Sequence, residues 1–323
     1  MSADPSPVLD VEQELEVHRR ELTGYCYRML GSGFEAEDAV QETLVRAWKA
    51  ADRFEGRSSV RSWLYRIATN VCIDMVQGPQ RRARPMDLGP SSTVATAVLS
   101  PQPENTFVLP IADGQVMDTA GDPAKVAEAR DSVRLAFVAA LQHLPARQRA
   151  VLILCEFLKW QSTEVAELLD TTTASVNSAL QRARATLSAT DVDRLDATVD
   201  PSHEALLARY VDAFERYDIS ALVALLRDDV VISMPPHDLW LVGPDELAGW
   251  FLGPGIGCSG SRLIPVIANG TAAFGSYKLA GPGRWEPFAL QVIEVRGGRI
   301  SGHHNFLYPE LFVAFGLPAH LED

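Results

Sequence analysis

The stretch Glu37-Asp-Ala-Val-Gln-Glu-Thr-Leu-Val-Arg-Ala-Trp48 decides the fold of the first part of this chain of 323 residues. Its apolar side chains recur at helical spacing and are predicted to form one buried stripe: Val40, Leu44, Ala47 and Trp48. Charged residues at its two ends match the sign of the helix dipole: Glu35, Glu37, Asp38, Arg46 and Lys49. The stretch is therefore predicted to be an amphipathic helix that packs against other helices.

A second helix follows the loop 52–58. Ser58 or Ser59 is a natural N-cap, and apolar residues then recur at threes and fours: Val60, Trp63, Leu64, Ile67, Ala68, Val71 and Met75. Aromatic side chains and cations alternate across residues 53–84: Phe54, Trp63, Tyr65, Arg53, Arg57, Arg61, Arg66, Arg81, Arg82 and Arg84. Stacking groups beside cations suit unstacked single-stranded DNA, although Trp63 by itself is more typical of a core residue.

The next segment, residues 85–123, has the composition of a linker. It contains no Lys or Arg, five acidic residues and six prolines, and we predict an extended connection.

Helical spacing resumes at Val126 and ends in two short helices, Thr163 to Leu169 and Thr173 to about Ser188, which a short turn separates. This is the spacing of a helix-turn-helix. The last helix places short polar side chains ahead of cations, as insertion into a DNA groove requires: Ser175, Asn177, Ser178, Gln181, Arg182 and Arg184.

Beyond about residue 200 the pattern changes from helices to strands. Two amphipathic helices precede strand-like runs at 230–234, 262–268, 271–279, 288–295 and 299–306, and Gly297-Gly298 indicates a tight hairpin. We predict a separate α+β domain in which an antiparallel meander curves around a helix.

Composition limits the function. With 29 basic and 42 acidic residues, the net charge of −13 has the wrong sign for a protein that finds DNA unaided. No apolar run is long enough to span a membrane and no signal peptide is evident, so we expect a soluble, cytoplasmic protein without a membrane partner. The four cysteines form no metal-binding pattern, and we expect neither metal nor cofactor.

The quoted helix, together with Phe54 and Arg61-Ser-Trp-Leu-Tyr-Arg-Ile-Ala-Thr-Asn70, resembles region 2 of extracytoplasmic-function sigma factors. Leu144-Pro-Ala-Arg-Gln-Arg-Ala-Val-Leu152 and Ser175-Val-Asn-Ser-Ala-Leu-Gln-Arg-Ala-Arg184 resemble region 4, although Asp170 occupies a turn where glycine is common and Asn177 stands where relatives frequently carry a cation. The implied domains are region 2 at 1–84, the linker at 85–123 and region 4 at 124–190. The resemblance explains the acidic charge, since the core polymerase supplies much of the grip on DNA.

The resemblance also implies partners and site residues. Core RNA polymerase would be contacted through its beta-prime clamp and beta flap, the clamp by Asp38, Gln41, Glu42 and Arg46. Promoter DNA would be bound at the −10 element by Phe54, Arg57, Ser58, Arg61, Arg66 and Asn70. At the −35 element it would be bound by Ser175, Asn177, Ser178, Gln181, Arg182 and Arg184. The acidic linker would thread the basic RNA exit path of the polymerase.

Residues 200–323 resemble the SnoaL-like polyketide-cyclase family, a cone-shaped α+β barrel with a pocket. The resemblance is carried by Ala213-Phe-Glu-Arg-Tyr-Asp218, by the strand from Val230 to Pro236, by the Trp240-Leu-Val-Gly243 turn and by the run from Ile300 to Pro318. Because a fused domain meets the sigma regions at high effective concentration, we expect it to regulate them in cis in place of a separate anti-sigma protein. Its candidate small-molecule pocket lies at His237, Trp240, Trp250, Trp285 and His303. The pairs His237-Asp238 and His303-His304 are alternatively general acid–base groups, but we predict no enzyme.

Two alternatives to a sigma factor remain. A stand-alone, ligand-responsive helix-turn-helix regulator would need only region 4 and the pocket domain, and it would leave residues 36–84 without a role. An enzyme of the cyclase type with a DNA-binding appendage is the other.

Overall fold

The computed structural model describes residues 11–54, 56, 58–76, 82–120, 122–188 and 201–323. The contacts between its residues divide the chain into two units. The first consists of residues 1–80, 114–119 and 137–192, and the second of residues 81–113, 120–136 and 193–323. Among the described residues, no helix is both long and apolar enough to cross a membrane.

The helices follow the order of the chain: α1 (Val11–Leu30), α2 (Gly33–Ala50), α3 (Val60–Met75), α4 (Pro85–Leu88), α5 (Asp113–Val116), α6 (Pro123–Asp131), α7 (Leu135–Gln142), α8 (Ala146–Leu152), α9 (Ser162–Leu168), α10 (Thr173–Ser188), α11 (Pro201–Glu215), α12 (Ile219–Val223), α13 (Pro244–Leu252) and α14 (Glu310–Ala314). Ala51–Arg53 and Ile256–Cys258 are 3-10 turns, and a π-helical turn, Ile153–Phe157, extends α8. The strands are β1 (Leu226–Ser233), β2 (Trp240–Val242), β3 (Arg262–Ala268), β4 (Thr271–Gly281), β5 (Arg284–Arg296), β6 (Arg299–Phe306) and β7 (Leu321–Glu322).

Caps define the helices of the first unit. Gly31, at a φ of 78°, lies in the turn between α1 and α2, and the side chain of Ser32 accepts from the backbone N–H of Glu35 to cap α2. Ser59, one of the two predicted caps, accepts from the backbone N–H of Ser62 at the start of α3. The positions of both helices are thus set by local chemistry that the sequence displays.

The buried stripe of α2 differs from the prediction at two residues, since Leu44 is half-buried and Trp48 is exposed. Val40 and Ala47 are buried as expected, whereas Trp48 is 68% exposed. Consecutive residues are about 100° apart around a helix, so Trp48 cannot share the inward direction of Ala47. Thr43 is buried instead, with its hydroxyl donating to the carbonyl of Ala39.

The helix-turn-helix is formed by α9 and α10. Asp170 lies in the turn at a φ of 49°, a left-handed conformation that Asp tolerates better than most residues, and it therefore fills the place where glycine is common. On α10, Val176 and Ala183 are buried, and the other apolar residues of that stripe are half-buried: Ala179, Leu180 and Leu187.

The second unit is built on one sheet with the strand order β2-β1-β6-β5-β4-β3, to which β7 adds by pairing with β5. The hairpin at Gly297-Gly298 joins β5 to β6, with φ values of 59° and 71°. The predicted antiparallel meander is right for β3 to β6 and wrong for β1, which pairs in parallel with β6. The sheet is therefore mixed, because β1 pairs with a strand that lies far along the chain.

Different parts of the chain pack on the two faces of this sheet. Neighbouring residues of a strand point to opposite faces, and β6 shows this at His303 and His304. The ring of His303 packs on Tyr210 of α11 and Phe251 of α13. His304 lines a small cavity on the other face together with Met86, which belongs to the segment predicted as a linker.

Residues 82–113, which include most of the segment predicted as a linker, belong to the second unit, and we name them the strap. Phe107, Leu109 and Ile111 are buried, because this apolar run would otherwise be exposed to water. The buried guanidinium of Arg82 donates to the carbonyl of Phe107 at 2.7 Å, and Ala83 forms a parallel bridge with the same residue. The boundaries drawn for the domains and the linker stay predictions.

Candidate nucleic-acid interface

The predicted polymerase-binding residues lie on one outward face of α2. Asp38, Gln41 and Glu42 are exposed, and Arg46 is half-buried because its guanidinium bonds to Glu42 at 2.7 Å and to Asp74 of α3 at 3.1 Å. This face of α2 also has an apolar part that was not predicted from the sequence, consisting of Val45 and Trp48 at 43% and 68% exposure. The signal that could have found it is the i, i+4, i+7 spacing of Gln41, Val45 and Trp48.

The predicted −10 residues lie in and after the loop that leads to α3. Phe54 packs on Trp63 with ring centroids 4.8 Å apart, so Trp63 is a half-buried partner of the loop rather than a pure core residue. Ser58 is exposed, and Arg66 and Asn70 are exposed one helical turn apart on α3. Arg57 lies outside the described residues. Phe54 of the loop thus lies against Trp63 on α3, the helix that carries Arg66 and Asn70.

Arg61 is held by a carboxylate. Its Nε and Nη2 atoms donate to the two carboxylate oxygens of Glu21 at 3.0 and 2.8 Å. Burial by itself would raise the pKa of Glu21, but the bonds from Arg61 and His18 outweigh it and lower that pKa. Glu21 therefore stays charged and fixes the direction of the guanidinium.

The predicted −35 residues all lie exposed on α10: Ser175, Asn177, Ser178, Gln181, Arg182 and Arg184. Thr172 caps this helix by accepting from the backbone N–H of Ser175, and Asn177 accepts from the hydroxyl of Ser162 at 2.8 Å. Arg184 is bonded to Glu156 of the π-helical turn. The N-terminal half of α10 is therefore braced by α9, and its polar side chains point outward.

The candidate pocket residues of the second unit lie in three places. His303 and Trp250 are buried on the side of α11 and α13. Two others contact the strap. The indole of Trp240 donates to the carbonyl of Gly89, and His237 forms an antiparallel β-bridge with Pro101. Trp285 lies under the guanidinium of Arg262 at 3.7 Å and donates to Gly260.

His303 belongs to a closed polar cluster. Asn305 donates to its Nδ1 at 2.9 Å, so Nε2 carries the proton and donates to Tyr210 at 2.8 Å. The hydroxyl of Tyr210 then donates to Gln291 at 2.7 Å. Burial and the neighbouring His304 lower the pKa of His303 to about 3, so the ring is neutral.

This geometry does not favour acid–base chemistry at His303-His304. The two rings point to opposite faces of the sheet, so they cannot act together in one pocket. Both nitrogens of His303 already have partners and the side chain is fully buried. At His237-Asp238, the carboxylate of Asp238 accepts from Gln102 of the strap at 3.2 Å.

Known proteins match along nearly the whole chain. Three family models match: Sigma-70 region 2 over residues 15–82, Sigma-70, region 4 over residues 134–187 and a SnoaL-like domain over residues 207–303. The ECF RNA polymerase sigma factor SigG of Mycobacterium tuberculosis is 45% identical over 314 residues, which are 96% of this chain and 84% of SigG. SigJ of the same organism is 25% identical, over 93% of this chain and 92% of SigJ.

The fold has a solved counterpart. The crystal structure of the extracytoplasmic function sigma factor SigJ of M. tuberculosis matches with a TM-score of 0.59 at 23% identity, covering 95% of this chain and 100% of that one. Region 2 and a helix-turn-helix region 4 on one chain define a sigma factor of the sigma-70 type. More particularly, the chain belongs to the extracytoplasmic-function (ECF) RNA polymerase sigma factors, with a SnoaL-like domain at its C-terminal end. Such factors bind core RNA polymerase and promoter DNA, and the sigma-factor function is favoured over that of a stand-alone regulator.

Proposed function

We propose that the outward face of α2 binds the beta-prime clamp of core RNA polymerase, while α10 contacts the −35 element and region 4 contacts the beta flap. The observation that carries this proposal is the exposure of Trp48. A tryptophan that is 68% exposed has most of its apolar surface in water, and tryptophan is enriched among the residues that dominate binding energy at protein interfaces. The charged residues around it would form the polar rim: Asp38, Gln41, Glu42 and Arg46.

Trp48→Ala is expected to weaken the affinity for core polymerase by at least about 30-fold, equivalent to about 2 kcal/mol, the loss typical of a central interface tryptophan. The fold should persist because most of the indole surface faces solvent. Val17→Ala serves as the control, since Val17 is 70% exposed on α1 of the same unit. Binding is measured by interferometry with immobilised core enzyme. Equal affinities of wild type and Trp48→Ala would refute this docking surface.

On the DNA side, we propose that Phe54, Ser58 and the α3 residues Arg66 and Asn70 capture an unstacked base of the −10 element. What supports this is their common location. A flipped base needs a stacking partner and hydrogen-bonding groups, and the Phe54–Trp63 pair lies in the same loop-and-helix segment as the exposed amide of Asn70. Arg61, positioned by Glu21, would contact the backbone of the strand.

The second unit is proposed to regulate the sigma domains in cis by holding the strap. The C-terminal end of the strap is hydrogen-bonded to the turn between β3 and β4. The Asn269 side chain accepts from the backbone N–H of Ile111 at 3.0 Å and donates to the carbonyl of Val133, and Gly270 donates to Asp113 at 2.8 Å. Since the strap is part of the connection between regions 2 and 4, its release changes how far the two regions can separate.

We further propose that this second unit inhibits until the strap is released. The strap contributes Phe107 and Ile111 to the buried interior of the unit, so a strap held there is not available to thread the polymerase. The sealed environment of His303 supports a structural role for this domain rather than a catalytic one.

A further inference from the structure

Region 4 contacts part of the outward side of α3 within the first unit, beside the exposed residues Arg66 and Asn70. Arg66, a proposed −10 residue, donates from Nη2 to the carbonyl oxygen of Glu167 on α9 at 2.9 Å. This bond joins residues 101 positions apart in the sequence. A residue proposed to contact DNA is thus bonded to the backbone of the helix-turn-helix.

Trp160 makes the neighbouring contact. Its ring lies 5.2 Å from the ring of Tyr65 on α3 and 5.2 Å from the guanidinium carbon of Arg61. Only 8% of Trp160 is exposed, so this region 4 side chain is buried where region 4 contacts α3. Arg61 is thereby stacked on an aromatic ring, which is the kind of contact that a DNA base also makes.

A second group of contacts holds region 4 against the end of α1. The guanidinium of Arg149 on α8 donates to the carbonyl of Met29, and the amide of Gln142 donates to the carbonyl of Arg28 at 3.3 Å. Phe157 of the π-helical turn lies 6.0 Å from the guanidinium carbon of Arg28. Region 4 is therefore fixed at both α1 and α3.

From these contacts we infer that the side of α3 carrying Arg61 and Arg66 is one surface with two mutually exclusive occupants, the Trp160–Glu167 segment of region 4 and single-stranded DNA. The inference rests on the proposed function, which assigns the two arginines to the −10 element. The bond to Glu167 occupies the Nη2 donor of Arg66 that a phosphate would need, and a base cannot stack where the indole of Trp160 already lies. Region 4 must leave α3 before DNA binds there.

The test compares the full-length chain with variants in binding a fluorescein-labelled, mixed-sequence single-stranded oligonucleotide of about 15 nucleotides, because stacking and phosphate contacts tolerate sequence. Trp160→Ala removes the indole from α3, and this variant is expected to bind the oligonucleotide at least about fivefold tighter than wild type. Trp160→Phe keeps an aromatic ring on Arg61 and should stay close to wild type. Adding Arg66→Ala to Trp160→Ala should abolish the gain.

Phe157→Ala weakens the separate contact of region 4 with Arg28 of α1, so a gain there supports the inference even where Trp160→Ala folds poorly. If neither opening variant binds the oligonucleotide more tightly than wild type, the masking is overturned. Promoter opening by the holoenzyme, read with 2-aminopurine in the −10 element, separates the two claims. Loss of opening in the Arg66→Ala holoenzyme preserves the −10 assignment, whereas unchanged opening refutes that assignment and the inference with it.

Discussion

Replacing Arg149 with methionine is expected to lower the free energy of unfolding of the first unit by about 3 kcal/mol, because buried acceptors would lose their donor. The side chain is 2% exposed and donates to four oxygens, those of Met29 and Leu144 and two of Gln142. Methionine is shorter and has no donor, so the four oxygens stay buried without these bonds. Their desolvation is expected to cause most of the loss.

Arg147→Met is the matched control for this substitution. Arg147 is exposed on the same helix, α8, and the same change there should alter stability by less than about 0.5 kcal/mol. Native-state hydrogen exchange of the α8 amides measures both variants within the full chain. An equal effect of the two substitutions would contradict the role given to Arg149.

Asn269→Gly is expected to release the strap and raise transcription from a cognate promoter several-fold. Asn269 has a φ of 53°, which glycine adopts without strain, so the turn between β3 and β4 should survive. The change removes the side-chain bonds to the N–H of Ile111 and to the carbonyl of Val133, while the backbone bond from residue 269 to the carbonyl of Ile111 stays. Each buried group left without a partner costs about 1–3 kcal/mol. The strap should therefore open more often while the sheet stays folded.

The readout is reconstituted transcription with saturating core enzyme, together with hydrogen exchange at residues 107–111. Gly298→Asn is the control. Gly298 also has a positive φ, at 71°, in the hairpin between β5 and β6, and a Cβ added there would contact no neighbouring atom. Faster exchange of the strap without a change in transcription would contradict cis regulation by the strap. Reduced transcription would show that the domain activates rather than inhibits.

Much of the fold could be predicted from local chemistry. The predicted strands 262–268 and 299–306 coincide with β3 and β6, because alternation and turn glycines define them. The predicted recognition helix, from Thr173 to about Ser188, coincides with α10. Each of these elements is fixed by residues within or directly beside it.

Non-local packing could not be predicted in this way. The parallel pairing of β1 with β6 joins residues about 70 positions apart, and nothing in either strand specifies the partner. The prolines and the lack of Lys and Arg in residues 85–123 predict an extended connection, whereas the apolar run at 107–111 within it is buried. Burial of that run depends on a surface that forms from the distant C-terminal part.

The site residues show the same division. The resemblance to region 2 implies Asp38, Gln41 and Glu42 as contact residues, and they lie exposed on one face of α2. The exposure of Trp48 differs from the prediction, because helical spacing grouped this tryptophan with the buried stripe. His303 and His304 were considered together as one catalytic pair, although strand alternation alone places neighbours on opposite faces. The masking of Arg66 by Glu167 depends on tertiary packing that no local pattern encodes.

Run-off transcription with purified core RNA polymerase and the full-length chain tests the central claim, that α2 docks on polymerase and α10 reads promoter DNA. The account predicts transcripts that begin at defined sites only when the chain is present. They should be reduced by Trp48→Ala at limiting sigma concentration and by Arg182→Ala on α10. Initiation that is absent with every template, or that is unaffected by both substitutions, would contradict it.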